Sequence, residues 1–319
     1  MKRIAVLTSG GDAPGMNAAI RAVVRAGIYY NLEVFGIYQG YAGLIEREIK
    51  KMDILSVDDI IHRGGTILNS SRSKFFMSEE GRCEAKKALD EFGIDALIAI
   101  GGDGTYKGAL TLVELGVNVI CLPGTIDNDV ASTDYTIGFD TAVNTAVDAI
   151  SKISDTSAAH NRAHTIQVMG RSAGYIALYS AVAGGAESVV IPEEPADYEA
   201  IYKKMLQSIN MGKHHSISVV AEGAGDYMEI AKNMIEHTGM DTKGTNLGYL
   251  QRGGSPSAFD RILASIMGAM AVELIVQSKK NLAVGFKDGK YQSFDLAEAV
   301  GMKKEINKEM YRILNIISM

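Results

Sequence analysis

The sequence predicts an α/β fold of two doubly wound, mostly parallel-sheet domains of the Rossmann-like type. Short apolar runs alternate with helical stretches of about 10–15 residues, a pattern typical of βαβ units and parallel sheets. Glycine-rich turns follow several of the apolar runs, where such folds pass from strand to helix. The chain has 319 residues, which is enough for two domains of roughly 150 residues each.

The elements predicted in the first half are strands at 3–7, 34–38, 96–100 and 117–122 and helices at 17–29, 79–92 and 140–153. The strands are continuous apolar runs that end in turn residues. The first helix is predicted because small and branched apolar residues recur at helical spacing from Ala18 to Ala26. The second has the same pattern, from Ala85 to Phe92.

The pattern then repeats, with strands at 165–168, 188–191, 216–221 and 246–250 and helices at 173–182, 258–277 and 305–316. Asp288-Gly289 is typical of a hairpin turn. No low-complexity linker or block of charge marks a domain boundary, so composition alone does not locate one.

Composition excludes several classes of protein. Hydrophobic residues make up 47% of the chain and charged residues 22%, as in ordinary globular proteins rather than disordered, collagen-like or coiled-coil chains. The formal net charge of −6 disfavours general binding to nucleic acid or to an anionic membrane. The two cysteines form no Cys-x-x-Cys pair, which argues against a disulfide framework or a cysteine zinc site. No segment predicts a signal or membrane helix, and we expect a cytoplasmic protein.

Polar, glycine-containing turns follow six of the predicted strands, at the end where open α/β sheets bind ligands. The first is Ser9-Gly10-Gly11-Asp12, which stands before a helix. Its glycines would let the backbone approach a phosphate, and the helix N-terminus would present free N–H groups to it. A tight strand-to-helix turn without a ligand explains this motif equally well.

The turn Gly101-Gly102-Asp103-Gly104-Thr105 is the second. Three glycines around one carboxylate suit a triphosphate with its divalent cation, which the acid would face through water. The alternative is that Asp103 caps the following helix. The chain has no GxxxxGK[ST] motif, so it is not a P-loop ATPase.

The third turn, Thr125-Ile126-Asp127-Asn128-Asp129, places two carboxylates two residues apart. One of them could hold a metal ion while the other takes a proton from a hydroxyl group. The alternative is a solvated acidic turn.

Cations accompany the other turns and could bind a sugar phosphate or neutralise a moving phosphoryl group. Each of them alone would be an ordinary surface charge. They are Arg72, Arg162, Arg171, Lys243 and Arg252.

Together these motifs resemble those of the bacterial-type ATP-dependent 6-phosphofructokinases. The resemblance covers the chain to about residue 275 and more loosely beyond, and it is carried in order by 7–17, 101–105, 123–129, 169–171, 220–223 and 251–256. It implies a kinase of glycolysis that phosphorylates fructose 6-phosphate at the 1-hydroxyl, giving fructose 1,6-bisphosphate and ADP. The active site would lie between an ATP-binding domain (1–138 plus 251–301) and a sugar-phosphate-binding domain (139–250 plus 302–319).

The resemblance also implies roles for single residues. The ATP site would comprise Gly11, Tyr41, Arg72, Ser73, Gly102, Asp103, Gly104 and Thr105, with Asp103 on Mg²⁺. The catalytic group would be Asp127 as general base, Thr125 and Arg171 on the transferring phosphoryl group, and Arg72 and Asp129 in support. The sugar phosphate would contact Thr125, Asp127, Met169, Gly170, Arg171, Glu222, Tyr249 and Arg252, and a neighbouring subunit's Arg162 and Lys243.

The family is typically a homotetramer whose active and allosteric effector sites are shared between subunits. The effector residues present here are Arg21, Arg25, Asp59, Glu187 and Lys213. The sequence departs from the family where Ser154 and Met211 replace two effector-site arginines, so we expect weak effector binding. Lys243 and Tyr249 replace the usual arginine and histidine, and residues 73–76 differ from the usual motif.

Three alternatives remain at this point. NAD and lipid kinases share the 101–105 motif but lack 125–129 and 169–171. Pyrophosphate-dependent relatives usually carry Asp and Lys at the positions of Gly104 and Gly124, where glycine leaves room for a nucleotide. A non-catalytic or altered-specificity paralogue that binds sugar phosphate is suggested by the departures above.

Overall fold

The computed structural model describes residues 2–318. The chain divides into two compact units. The first runs up to Thr141 and takes in Arg252–Lys304, and the second comprises Ala142–Gln251 and the segment from Glu305 onward. Each unit has its own β-sheet, and both sheets are mostly parallel, which confirms the predicted fold class.

Within residues 2–318 the strands are β1 (Arg3–Thr8), β2 (Glu33–Ile37), β3 (Ile49–Met52), β4 (Ala96–Gly101), β5 (Val119–Pro123), β6 (Ala163–Val168), β7 (Ser188–Val190), β8 (Ser216–Ala221), β9 (Thr242–Asn246), β10 (Leu282–Lys287) and β11 (Lys290–Asp295). The α-helices are α1 (Met16–Tyr29), α2 (Gly40–Ile45), α3 (Glu79–Glu91), α4 (Asp103–Glu114), α5 (Phe139–His160), α6 (Tyr175–Gly184), α7 (Tyr198–Asn210), α8 (Tyr227–Thr238), α9 (Ala258–Val276), α10 (Leu296–Gly301) and α11 (Lys308–Ile317). None of these helices is long and apolar enough to cross a membrane.

The first unit is built on a seven-stranded sheet in the order β11-β10-β5-β4-β1-β2-β3. Its strands are parallel except at the two edges, where β3 and β11 run antiparallel to their neighbours. The apolar run from Ile4 to Leu7 in β1 is fully buried, as expected of a strand covered on both faces. Strand order reverses between β1 and β4, and this is the position at which doubly wound sheets open a ligand crevice.

The second unit has a four-stranded parallel sheet in the order β7-β8-β6-β9. Helices α7 and α8 pack together over one cluster of its core, which includes Tyr202, Met205 and Met234. We call the edge at which the parallel strands of either sheet end its carboxyl edge, and the edge at which they begin its amino edge.

The predicted strand at 246–250 is wrong. The strand is Thr242–Asn246, and a 3₁₀ turn at Gly248–Gln251 follows it. Strand β9 lies at a sheet edge and pairs only with β6, so it needs few apolar residues. Leu247 and Leu250 produced the misleading apolar signal.

One buried carboxylate anchors the start of α5. Asp260 is fully buried on α9. Its Oδ1 accepts a hydrogen bond from the Gly138 backbone N–H at 2.9 Å, and its Oδ2 accepts one from the Thr141 N–H at 2.8 Å. The Thr141 hydroxyl donates to the same Oδ2. Burial raises the pKa of Asp260 to about 6, although these hydrogen bonds oppose the shift.

We expect this carboxylate to make stability depend on pH. Its pKa is higher in the folded state than in the unfolded chain, so its contribution is fully present below about pH 4 and is lost as the pH rises through 6. Relative to Asp260→Asn, the free energy of unfolding of the wild type should therefore fall by on the order of 3 kcal/mol between pH 4 and 7. Thermal midpoints of both proteins across this range test the expectation. The control is Asp148→Asn, on the exposed side of α5. If the difference in thermal midpoint between the wild type and Asp260→Asn does not change with pH, the expectation is wrong.

Candidate active site

The three predicted turns of the first unit come together at its carboxyl edge. They follow β1, β4 and β5, which are neighbours in the sheet. The Ser9 N–H donates to the Ile100 carbonyl at 3.0 Å, and the Thr105 hydroxyl donates to the Ser9 carbonyl at 3.0 Å. A Cβ on Gly102 would lie 3.3 Å from the Thr125 Cβ, so the third turn adjoins the second.

The second turn requires glycine for packing at one position and leaves open space at another. A Cβ on Gly101 would lie 2.2 Å from the Thr105 Oγ1 and 2.5 Å from the Ser9 carbonyl oxygen, distances that no side chain allows. A Cβ on Gly104 would meet no atom within 4 Å. Gly124 differs, because its Cβ would lie 2.9 Å from Ile100 Cγ2. Close packing therefore explains glycine at 124, whereas at 104 the protein itself leaves space for a side chain.

The alternative interpretation of Asp103 as a helix cap is wrong. Helix α4 begins at Asp103 itself, and Gly102 occupies the N-cap position. The Asp103 side chain is 43% exposed, and its Oδ2 pairs with the Lys107 Nζ at 2.7 Å. Its carboxylate is thus at the surface of the first helical turn, where a cation can reach it.

Tyr41 and Thr105 support the second turn from inside the protein. Tyr41 is buried, and its hydroxyl donates to the Thr105 carbonyl at 2.8 Å. Its ring stacks on Phe76 with centroids 4.1 Å apart. Burial raises the pKa of Tyr41, so its hydroxyl remains a donor. Of the other predicted ATP residues, Arg72 is exposed, and the Ser73 Oγ accepts a bond from the Phe76 N–H at 3.1 Å.

A cavity of about 510 Å³ opens beside the first turn, within the usual size of small-molecule sites. An Arg252 Nη2–Asp12 Oδ1 ion pair of 2.6 Å forms part of its wall. A Cβ on Gly11 would lie 2.8 Å from that Arg252 nitrogen, so glycine makes room for the pair. The lining residues are Gly10, Asp12, Gln39, Thr66, Asn69, Ser70 and Arg252.

The segment of Asn69 and Ser70, which also lines this cavity, had no predicted role. The Thr8 hydroxyl donates to the Asn69 carbonyl at 2.8 Å, and the Ser70 hydroxyl donates to the Gly10 carbonyl at 2.5 Å. The run Asn69-Ser70-Ser71 was the available signal, since such polar clusters mark loops. Nothing local to it indicates that the loop folds over the first turn.

The third turn is held rigidly by the asparagine between its two acids. Asn128 has a left-handed φ of 53°. Its side-chain amide donates to the Asp134 carbonyl at 3.0 Å and accepts from the Thr136 N–H at 3.0 Å. Asp127 is half-buried, and its N–H donates to the Thr125 Oγ1 at 3.2 Å. This asparagine is the residue of the turn whose role sequence reasoning missed.

A buried lysine lies behind the same loop. The Lys304 Nζ donates to the Asp134 carbonyl at 3.1 Å. Burial lowers the pKa of Lys304 to about 7, while the nearby carboxylates of Asp134 and Asp129 act in the opposite direction. The loop that carries Asp127 is therefore held at the Asp134 carbonyl by the side chains of both Asn128 and Lys304.

In the second unit, the predicted sugar-phosphate residues at the carboxyl edge form one group. Arg171 follows β6 with a left-handed φ of 59°, and its backbone N–H donates to the Glu222 Oε1 at 2.7 Å. A Cβ on Gly223 would lie 2.2 Å from the Arg171 carbonyl oxygen. The Met169 N–H donates to the side chain of buried Gln251 at 3.2 Å, a support that the sequence did not indicate.

Arg162 and Lys243 lie at the opposite edge of this sheet. Arg162 directly precedes β6, and Lys243 is the second residue of β9, opposite His164. Strand β6 has six residues, which at about 3.3 Å per residue separate the two edges by roughly 20 Å. Arg162 and Arg171 therefore belong to opposite edges of the sheet, and we expect them to contact sugar phosphates in different active sites.

The predicted effector residues are largely paired among themselves or with near neighbours. Glu187 is buried, its Oε1 accepts from the Lys213 Nζ, and its Oε2 accepts from the Ile217 N–H at 2.6 Å. In the first unit, Arg25 contacts Asp58 at 3.5 Å and Asp59 contacts His62 at 3.6 Å. The carboxylate of Glu187 is thus committed to its own unit.

The described residues contain no group of three or more acids, histidines or cysteines arranged to hold a metal ion by themselves. Mg²⁺ in kinase sites is commonly held by one or two carboxylates together with substrate phosphates. Asp103 at the carboxyl edge offers the oxygen donors that this mode requires.

Comparison with known proteins agrees with this geometry. Residues 3–275 match the phosphofructokinase family. ATP-dependent 6-phosphofructokinases of Alkaliphilus metalliredigens and Clostridium botulinum are 54% identical over 318 residues, which cover 100% of both chains in each pair.

Solved structures extend the agreement to the fold. A phosphofructokinase chain of Saccharomyces cerevisiae is 34% identical, with a TM-score of 0.88 over 100% of this chain and 48% of that chain. The chain thus spans about half the length of the yeast chain. A Pichia pastoris phosphofructokinase in the T-state is also 34% identical, with a TM-score of 0.90 over 99% of this chain and 37% of that chain. The chain therefore belongs to the phosphofructokinase family.

Proposed function

We propose that this protein transfers the terminal phosphoryl group of ATP to the 1-hydroxyl of fructose 6-phosphate, giving fructose 1,6-bisphosphate and ADP. The observation that carries the proposal is the convergence of two glycine-rich turns and the Thr125–Asp129 turn at one sheet edge. The relatives at 54% identity are named for this ATP-dependent activity, and their identity extends over the full chain.

The chemistry follows from what phosphoryl transfer requires, which is mainly positioning and neutralisation of charge. Asp127 takes the proton of the 1-hydroxyl as the oxygen attacks phosphorus. Thr125 donates a hydrogen bond to the phosphoryl group, and Arg171 and Arg72 balance the charge that spreads over its oxygens. The hydrogen bonds of Asn128 hold the turn that carries the base, so Asp127 is oriented before the substrate arrives.

Asp103 is the residue proposed to hold Mg²⁺ together with the ATP phosphates, and Asp129 supports it. A Mg²⁺ ion held there would supply positive charge to offset the negative charge of the phosphate oxygens. The Asp103–Lys107 contact joins two half-exposed side chains, so a cation can displace it at little cost.

The sugar phosphate is proposed to bind at the carboxyl edge of the second unit, at Met169, Gly170, Arg171, Glu222 and Tyr249, with Arg252 of the first unit. Arg162 and Lys243 of a neighbouring subunit complete the binding site for its phosphate, because these two residues lie at the opposite edge of their own sheet. The active site thus requires an oligomer, which we propose to be a homotetramer.

We propose that effector anions bind only weakly between these subunits. Arg21, Arg25 and Lys213 are present, but Lys213 is neutralised by Glu187, and Ser154 and Met211 provide no charge. A multiply charged anion needs several cations to offset its desolvation.

A donor panel with the purified protein tests the proposed function. We expect turnover of fructose 6-phosphate with Mg-ATP and essentially none with pyrophosphate, measured by coupled formation of fructose 1,6-bisphosphate. Comparable rates with both donors would indicate a pyrophosphate-dependent enzyme. Binding of the sugar phosphate without turnover would indicate a non-catalytic paralogue.

The open space at Gly104 allows a sharper form of the same test. Gly104→Asp should fold normally, since its Cβ meets no atom within 4 Å. Its carboxylate should repel the triphosphate and lower kcat/KM for ATP by about 10-fold or more relative to Gly104→Asn, its uncharged control of equal size. Equal values for the two variants would place the triphosphate away from this turn.

A further inference from the structure

One carboxylate joins the two cations at the amino edge of the second unit's sheet. Asp241 directly precedes β9, as Arg162 precedes β6, and these strands pair in parallel with Ala163 opposite Thr242. The Ala163 N–H donates to the Asp241 carbonyl at 2.9 Å. The backbone register therefore places Asp241 and Arg162 side by side.

The side chains make use of this register. Asp241 Oδ2 lies 3.0 Å from the Arg162 Nε, and its Oδ1 lies 2.9 Å from the Lys243 Nζ. The hydrogen bond from Lys243 lowers the pKa of Asp241 below its usual range, so the carboxylate is ionised at neutral pH. The three side chains are 38%, 45% and 51% exposed for Arg162, Asp241 and Lys243, and a ligand can reach all of them.

The contacts leave donors available for an anion. The closest contact of Asp241 with Arg162 is at the Nε. A guanidinium has five N–H donors, so donors remain on the terminal nitrogens for a phosphate. The Lys243 ammonium has three donors, and one contact with Asp241 leaves others. A phosphate can thus bind both cations while Asp241 stays in place.

The histidine next to this group adds no further positive charge at neutral pH. His164 stands next to it on β6, with its Nδ1 2.6 Å from the Ser157 Oγ. Burial, and to a smaller degree Arg162, lowers the pKa of His164, which keeps the imidazole neutral. The group of Arg162, Asp241 and Lys243 therefore carries one net positive charge.

We propose that Asp241 is a positioning residue for the sugar phosphate, holding Arg162 and Lys243 at a fixed spacing so that together they receive the phosphate of a ligand bound to a neighbouring subunit. This inference rests on the proposed function. Two adjacent cations repel each other and have long, mobile side chains, so without an anion between them they would separate. Ordering such side chains on binding costs affinity, and Asp241 removes part of that cost beforehand.

The test compares Asp241→Asn with the wild type in steady-state kinetics. The amide retains the size but cannot pair with two cations. We expect KM for fructose 6-phosphate to rise about 3- to 10-fold, with kcat and the KM for ATP within twofold of the wild type. Asp241→Glu, which keeps the charge, should recover most of the affinity. Glu236→Gln, the same loss of charge on the exposed face of α8, is the matched control and should change nothing.

A double-mutant cycle separates positioning from a general structural effect. In the Arg162→Ala, Lys243→Ala background, Asp241→Asn should have no further effect on KM, because the cations it would position are gone. An unchanged KM for Asp241→Asn in the wild-type background overturns the proposal. A lowered KM also overturns it, since it would mean that Asp241 competes with the phosphate.

The same measurements distinguish failure of this inference from failure of the proposed function. If the wild type shows no ATP-dependent turnover, the proposed function is wrong. If Lys243→Ala leaves the KM for fructose 6-phosphate unchanged, Lys243 is not part of the sugar-phosphate site. If Lys243→Ala raises KM and Asp241→Asn does not, Lys243 belongs to the sugar-phosphate site and Asp241 is not a positioning residue for it.

Discussion

Replacing Asp127 with asparagine is expected to lower kcat by about 10²- to 10⁴-fold, the usual effect of removing a general base. The amide keeps the shape of the carboxylate and cannot accept the proton of the 1-hydroxyl. The bonds of the Asn128 side chain to the Asp134 carbonyl and the Thr136 N–H are unchanged in this variant, so the turn should survive. The loss should therefore appear in kcat, with the KM values for ATP and sugar phosphate changed much less.

Asp134 provides the matched control for this variant. It lies in the same loop, where its Oδ2 accepts a hydrogen bond from the Asp288 N–H at 2.9 Å, and it has no proposed part in the chemistry. Asp134→Asn makes the same chemical change and should retain kcat within threefold. If Asp127→Asn also retains kcat within threefold of the wild type, Asp127 is not the base.

The sequence predicted the regular elements best where burial is complete. Strand β8 was predicted at 216–221 and is found at Ser216–Ala221, where every residue is buried. Strands buried on both faces are rich in apolar residues, and only two serines interrupt this one. Helix α5 was predicted to end at 153 and ends at His160. Its last turns are polar and exposed, so they resemble a loop in sequence.

Several elements of residues 2–318 had no predicted range, and the signal for some of them was present. Helices α7 and α8 begin after Asp197 and Asp226, whose side chains cap the Ala200 and Met228 N–H groups. An acidic cap before an apolar periodic run is a recognised start of a helix. The short elements α2, β3 and α10 have only four to six residues each, too few to show a period.

The chemistry of the candidate site could be predicted further than its supports. Glycines and acids at strand ends have a local meaning, so the turns of Gly101 and Asp127 were identified from sequence. Gln251 supports Met169 across 82 residues of chain, and no local pattern encodes such a contact. The separation of Arg162 from Arg171 likewise required the sheet, since only strand direction places them at opposite edges.

That separation predicts that two defective variants restore activity when they share an oligomer. Asp127→Asn removes the base of its own chain. Arg162→Ala combined with Lys243→Ala removes cations that serve a neighbour's ligand, and should lower activity at limiting sugar phosphate by on the order of 100-fold. In a mixed oligomer, a chain with Asp127 can bind its substrate against a partner that still has both cations.

The expected recovery follows from counting. When the two variants are co-expressed in equal amounts, half of the chains carry Asp127, and half of those face a partner with Arg162 and Lys243. About one quarter of the sites are then intact, and activity should approach one quarter of the wild-type value if the isologous pairing of subunits is random. The measurement is the rate at limiting fructose 6-phosphate for the co-expressed mixture and for each variant alone.

A second co-expressed mixture of variants shows whether the recovery of activity has the proposed cause. Thr125→Val lies in the same turn as Asp127, whose N–H bonds to the Thr125 Oγ1 at 3.2 Å, so no chain in a mixture of Thr125→Val with Asp127→Asn has an intact turn. This mixture should show only the residual rates of its two parents. If the first mixture also shows no more than its parents, each site is built within one chain. Arg162 and Lys243, about 20 Å from Arg171 along the strand, would then have no part in binding the sugar phosphate.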